Sequence, residues 1–242
     1  MRRIVAAAIL ACAVAGCTAP ATAPEAVGVA PAVTPSATDG TTGPTARPTP
    51  PPAIRVSRAA LLTPGDFGSG YTVAEPAEEA APPVEPAYLL PVMDCPQWQP
   101  GPGGPSGAAV LAGARQLYAA PRGHYDGLAV WRFRPGAAAQ AMREAADQVR
   151  LCPTFESVGD EDVRISRTWT VLARDFAGPG ALVLRTELAR NGTVSDVDFF
   201  VIVQRDDAVA ALWLSDQRWT TDRLRAVGQR MASRLADIEK TG

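Results

Sequence analysis

The chain has 242 residues, with 23 Lys and Arg against 25 Asp and Glu, a formal charge of −2 and 47% apolar side chains. That mild acidity argues against a general nucleic-acid binder, which presents a basic face. A single histidine, with no CxxC or HxxxH spacing, leaves no ligand set for a closed zinc site.

The chain opens with the short positive run Met1-Arg2-Arg3, followed by an almost wholly apolar stretch from Ile4 to Ala15. This is the layout of a secretory signal, and it is shorter than the roughly 20 residues needed to span a bilayer core. It ends in Val14-Ala15-Gly16-Cys17, which resembles the bacterial lipoprotein signal box. There, small side chains fit a protease subsite and the cysteine thiol carries a diacylglycerol thioether. The resemblance implies a signal peptide over 1–16, lipidation of Cys17, and a mature protein anchored by lipid on the extracytoplasmic face of the cell membrane. The alternative is an ordinary secretory signal cleaved after Ala19 or Ala21, with Cys17 discarded. Processing at Cys17 removes Arg2 and Arg3, leaving 21 basic against 25 acidic residues and a formal charge of −4.

From Thr18 to Ala59 the chain is rich in Ala, Pro and Thr and contains no aromatic residue; the first is Phe67. Such a segment buries too little side-chain area to offset its ordering entropy. Residues 17–59 are therefore read as a lipidated N-terminus and disordered tether, with a coil dimension of roughly 35 Å. Residues 60–242 hold all five Trp, six Phe and four Tyr, and their length suits one domain.

Within that domain, Leu61 to Asp66 reads as a turn or short helix start, and the acidic, proline-rich stretch from Tyr71 to Pro86 has no clear period. Gly101 to Gly107 reads as a loop. Leu128 to Phe133 alternates as a strand does. Pro135 and Gly136 break it and open a helix whose stripe is Ala138, Ala141, Met142, Ala145 and Val149, stopped by Cys152 and Pro153. Strands are predicted over Thr168–Arg174, Ala181–Ala189 and Val194–Gln204, the last two joined by an Asn191-Gly192 type I′ turn. Asp206-Asp207 turns the chain into Ala208–Leu214, where Val209, Ala211 and Trp213 share a face. A final helix from Thr221 has the stripe Leu224, Val227, Met231, Leu235 and Ile238. The fold class is α+β: one globular domain with an antiparallel sheet and packed helices.

Cys95 and Cys152 are the two cysteines left in this domain, and a pair in an exported chain is most simply a disulfide. In the chain-entropy account it contributes roughly 4 kcal/mol; two buried free thiols are the alternative.

Candidate chemistry is sparse. His124, beside Asp126, lacks a nucleophile elbow or triad setting and reads as a loop histidine. Asp160-Glu161-Asp162 lacks calcium-loop spacing and reads as a solvated turn. Gly178-Pro179-Gly180 is a turn without a phosphate-binding motif, so no cofactor is implied. Asp196 and Asp198 fall on one face of a strand, the wet side of a sheet or a ligand groove. Arg223, Arg225, Arg230 and Arg234 read as a solvated face of the last helix. Among the aromatics, Trp131, Trp169 and Trp213 are the candidate ligand contacts, with core packing as the competing role for each.

Leu61-Leu62, Asp94-Cys95, Val130-Trp131-Arg132-Phe133, the helix ending in Leu151-Cys152, Val194 to Val203 and the closing helix with Ala232 and Leu235 together point to a family. Over 60–242 the chain resembles the extracellular sensor domain of mycobacterial serine/threonine protein kinases, found also in free-standing lipoproteins. The resemblance implies a central antiparallel sheet, a large cleft, a ligand-sensing role and no enzymatic activity. Members commonly carry a second disulfide in the later half, whereas here no cysteine stands near Thr186-Glu187-Leu188. No kinase domain accompanies this copy, so a signal would have to pass through another protein.

The leading expectation is a non-enzymatic envelope lipoprotein that binds a small molecule, lipid or protein partner, without nucleic acid. A carrier of an apolar envelope compound and an envelope hydrolase are the alternatives. The anchor is testable first: metabolic labelling with a palmitate analogue should mark the wild type and fail to mark Cys17→Ser, and label that persists in the variant refutes lipidation at Cys17.

Overall fold

A computed structural model describes residues 58–80, 89–90, 95, 97–98, 109–158, 163–215 and 218–239. Cys17, the tether as far as residue 57, Asp94, Gly101 to Gly107 and Asp160-Glu161-Asp162 lie outside the described residues; Arg58 and Ala59, read as the end of the tether, are in a helical turn with Arg58 paired to Glu79 at 2.9 Å.

The described elements run α1 (Pro64–Phe67), β1 (Thr72–Ala80), β2 (Val110–Ala119), β3 (Tyr125–Phe133), α2 (Ala137–Leu151), β4 (Thr154–Val158), β5 (Arg164–Arg174), β6 (Leu182–Arg190), β7 (Thr193–Arg205), β8 (Ala208–Leu214) and α3 (Thr221–Glu239). The eight strands form one sheet in the order β1-β2-β3-β8-β7-β6-β5-β4, and every neighbouring pair is antiparallel. After β3 the chain crosses through α2 to the far edge and then meanders from β4 back to β8, which pairs with β3. All described residues fall in one compact unit, Pro48–Gly242. This is the α+β antiparallel architecture read from the sequence.

The predicted turns are where local chemistry placed them. Asn191 and Gly192 have φ of 50° and 80°, the two left-handed positions a type I′ hairpin requires. Asp206, at φ 43°, turns β7 into β8. The Asp207 carbonyl accepts from the Phe133 N–H at 2.8 Å and its carboxylate from the Gly136 N–H at 3.1 Å, fixing where β3 ends and α2 begins.

Three strands were not read from the sequence. β1 contains Pro76 and three glutamates, a composition that argues against a central strand. It is an edge strand, and register shifts between Val73 and Glu75 and between Glu75 and Glu78 accommodate the proline. β2, which pairs with β1 and β3, has no clean alternation, and a register shift between Val110 and Ala112 breaks its period. β4 lies between the predicted helix stop at Cys152-Pro153 and the predicted turn at Asp160-Glu161-Asp162; it is five residues long and pairs with β5 alone.

The middle of the sheet is buried on both faces. Val197, Phe199, Val201 and Val203 of β7 meet one apolar cluster with Leu224, Val227, Met231 and Leu235 of α3. Phe200 and Ile202 meet the other with Ala138, Ala141, Met142, Ala145 and Val149 of α2. The predicted stripes of both helices are thus the buried ones; nothing is described for the Ile238 side chain. Cys95 and Cys152 form the expected disulfide, with Cα atoms 6.3 Å apart. It ties the end of α2 to the segment carrying Trp98, which packs in the same cluster.

The arginines of α3 do more than keep its outer face wet. Arg234 donates to the Leu61 carbonyl at 3.2 Å and to Asp66 Oδ2 at 2.7 Å. Arg230 donates to the Asp66 carbonyl at 2.6 Å and Arg223 to that of Phe67 at 3.3 Å. Asp66 also accepts from the Thr63 N–H at 2.7 Å and the Thr63 hydroxyl at 2.8 Å, capping α1. These bonds clasp the first structured turn onto the last helix. Burial by itself would raise the Asp66 pKa, but the Thr63 hydrogen bonds and the Arg234 and Arg230 charges outweigh it and hold the carboxyl below its usual value.

A folded pKa lowered in this way contributes stability that is complete above the unfolded carboxyl value of about 3.9 and lost as pH falls through the folded one. Asp66→Ala should therefore cost about 1–2 kcal/mol near neutral pH. In urea unfolding, the gap from wild type should narrow as pH drops below about 4; a gap that stays constant with pH shows that the carboxylate charge is not what holds the clasp.

Candidate functional site

Among the described residues, α2 is the helix on the Phe200 side of the sheet, and Leu89, Leu90 and Trp98 pack in the same cluster. α2 has 15 residues and is about 22 Å long at 1.5 Å per residue. β7 has 13 and extends about 43 Å at 3.3 Å per residue. The helix starts beside Asp207 and ends at Cys152, whose neighbour Pro153 accepts from the Trp169 N–H at 2.8 Å. Beyond that point the same face continues through Thr186, Asp198, Arg167, Leu188, Asp196 and Trp213.

Strand register places these side chains together. Trp169 pairs with Thr186 and Thr186 with Asp198, forming one rung. Arg167 pairs with Leu188 and Leu188 with Asp196, forming the next. On the other side of that first rung, Phe200 pairs with Trp213 and Trp213 with Gly127. A Cβ on Gly127 would lie 3.7 Å from Trp213 Cε3, so the indole leans across the neighbouring strand onto bare backbone. Its N–H edge stands near Asp198 and helps hold that carboxyl down against the effect of burial.

The three tryptophans proposed as ligand contacts do lie on this one face, but in different settings. Trp169 is 5% exposed, with its ring 5.4 Å from that of Phe200; it is core and forms the floor next to Thr186. Trp131 is half-buried against the α2-side cluster. Its partner is Val209, four residues along β3 from Gly127 and so roughly 13 Å away. Trp213, 37% exposed, is the one that presents its ring to solvent. Trp219 is core on the opposite side, with the Arg223 guanidinium 4.5 Å from its ring.

Thr186 and Arg167 were not singled out from the sequence. Thr186 is 1% exposed and its hydroxyl has no hydrogen-bond partner, an unfavourable state for a buried donor and acceptor. No sequence signal marks it, because Thr186 stands between Arg185 and Glu187 in a polar run of the strand. Burial pushes the Asp198 carboxyl up in pKa; the Trp213 hydrogen bond and the Arg167 charge oppose this, while Asp196 and Asp126 add to it.

His124 and Asp126 do not assemble a catalytic set. Asp126 is wholly buried, with its oxygens taken by the Tyr71 hydroxyl at 3.0 Å, the Ser215 N–H at 2.9 Å and the Ser215 hydroxyl at 3.4 Å. It ties the end of β8 to the start of β3 and to Tyr71. Burial raises its pKa, against the Ser215 and Tyr71 hydrogen bonds and the His124 charge. His124 Nε2 is buried without a hydrogen-bond partner. Among the described residues no three His, Cys, Asp or Glu side chains group as metal ligands.

The architecture is an α+β domain, an eight-stranded antiparallel sheet covered by a helix on each face. No protein-family model matches the chain, and no curated protein matches it. Among solved structures it is similar to the crystal structure of the extracellular domain of PknH from Mycobacterium tuberculosis, with a TM-score of 0.53 and 15% identity over 78% of this chain and 97% of that one. At that identity the likeness establishes the fold, the one implied by the kinase sensor-domain resemblance.

The two settings predict opposite outcomes for two chemically identical truncations. Trp169→Ala should cost about 3–5 kcal/mol in urea unfolding, as removal of a buried aromatic does. Trp213→Ala should cost less than about 1 kcal/mol, within the range of surface changes. Equal losses would place Trp213 in the core.

Proposed function

We propose that this protein is a lipid-anchored, non-catalytic envelope receptor whose domain binds a ligand at the Trp213 end of its α2-side sheet face. The observation that carries this reading is Trp213, a large apolar side chain 37% exposed on a sheet face beside the partly buried carboxylate of Asp198. An aromatic surface with a few convergent polar groups is the usual make-up of a ligand site. The likeness to an extracellular domain and the Cys95–Cys152 disulfide both support a position outside the cytoplasm, and the Cys17 box supplies the anchor.

An apolar carrier is less well supported, because an acyl chain on this patch would strand Asp198 and Asp196 without water. A hydrolase is less well supported because Asp126, the carboxylate nearest His124 in sequence, is already engaged by Tyr71 and Ser215. Ligand occupancy on this reading biases an interaction with another envelope protein, the tether setting how far the domain can reach.

Native purification of the full lipidated chain, followed by mass spectrometry of what it releases on denaturation, tests the reading. A compound recovered from wild type and depleted in Trp213→Ala supports it. A compound recovered equally from both, or ester hydrolysis that disappears in His124→Ala, overturns it.

A further inference from the structure

We draw no further inference here: the strongest candidate, the exposed surface patch of Tyr125 and Trp213 on one sheet face where β3 and β8 meet, carries nothing, because it belongs to the site already described and nothing in the structure shows what covers it.

Discussion

The central strands of this sheet have no wet side, and most of the architecture follows from that constraint. Phe199 to Val203 in β7 and Ala208 to Leu212 in β8 are buried on both faces, so the sheet needs a layer of side chains above and below it. α3 provides one with a stripe of large residues. α2 provides the other with mostly alanines, which let the helix backbone approach closely, so the bulk on that face comes from the sheet itself, in Phe200, Ile202, Leu182, Leu184 and Trp169. The sheet also has to be closed at its ends by something other than helix. The Cys95–Cys152 disulfide secures the end of α2, and the arginine clasp on Asp66 fastens the first structured turn to α3.

The same constraint explains where Trp213, Asp198 and Asp196 stand. A helix covers about 1.5 Å per residue and a strand about 3.3 Å, so a helix of ordinary length cannot roof a strand of 13 residues. Where α2 stops, the inward residues change character from Phe200 and Ile202 to Asp198 and Asp196, while Trp213 continues an apolar row into solvent. The cost of leaving an indole half-exposed is what a bound ligand would recover.

Elements governed by local chemistry were legible. The α2 and α3 stripes, the Asn191-Gly192 hairpin and the Asp206-Asp207 turn depend on periodicity and on left-handed positions, both written in short windows of sequence. β1, β2 and β4 were not legible, because each is a strand only by virtue of its neighbour. Pro76 and the glutamates of β1 are tolerated at an edge and would not be in the middle. The role of Arg223, Arg230 and Arg234 was hidden for the same reason: their acceptors lie more than 150 residues away, and a helix surface rich in arginine looks solvated until the segment it holds is in place.

The three tryptophans make the division plain. Composition and alternation put Trp131, Trp169 and Trp213 among the candidate contacts, and pairing does bring them to one face. Only the register of β5 with β6, β6 with β7 and β7 with β8 decides that Trp169 lies in the core, that Trp131 packs a few rungs away, and that Trp213 reaches solvent with Asp198 at its edge. The sequence by itself determined the α+β class and the disulfide pair, since these depend on periodicity, composition and a count of cysteines. The patch, the clasp and the burial of Asp126 were decided by tertiary structure, because they are contacts between residues whose distance along the chain carries no information about their distance in space.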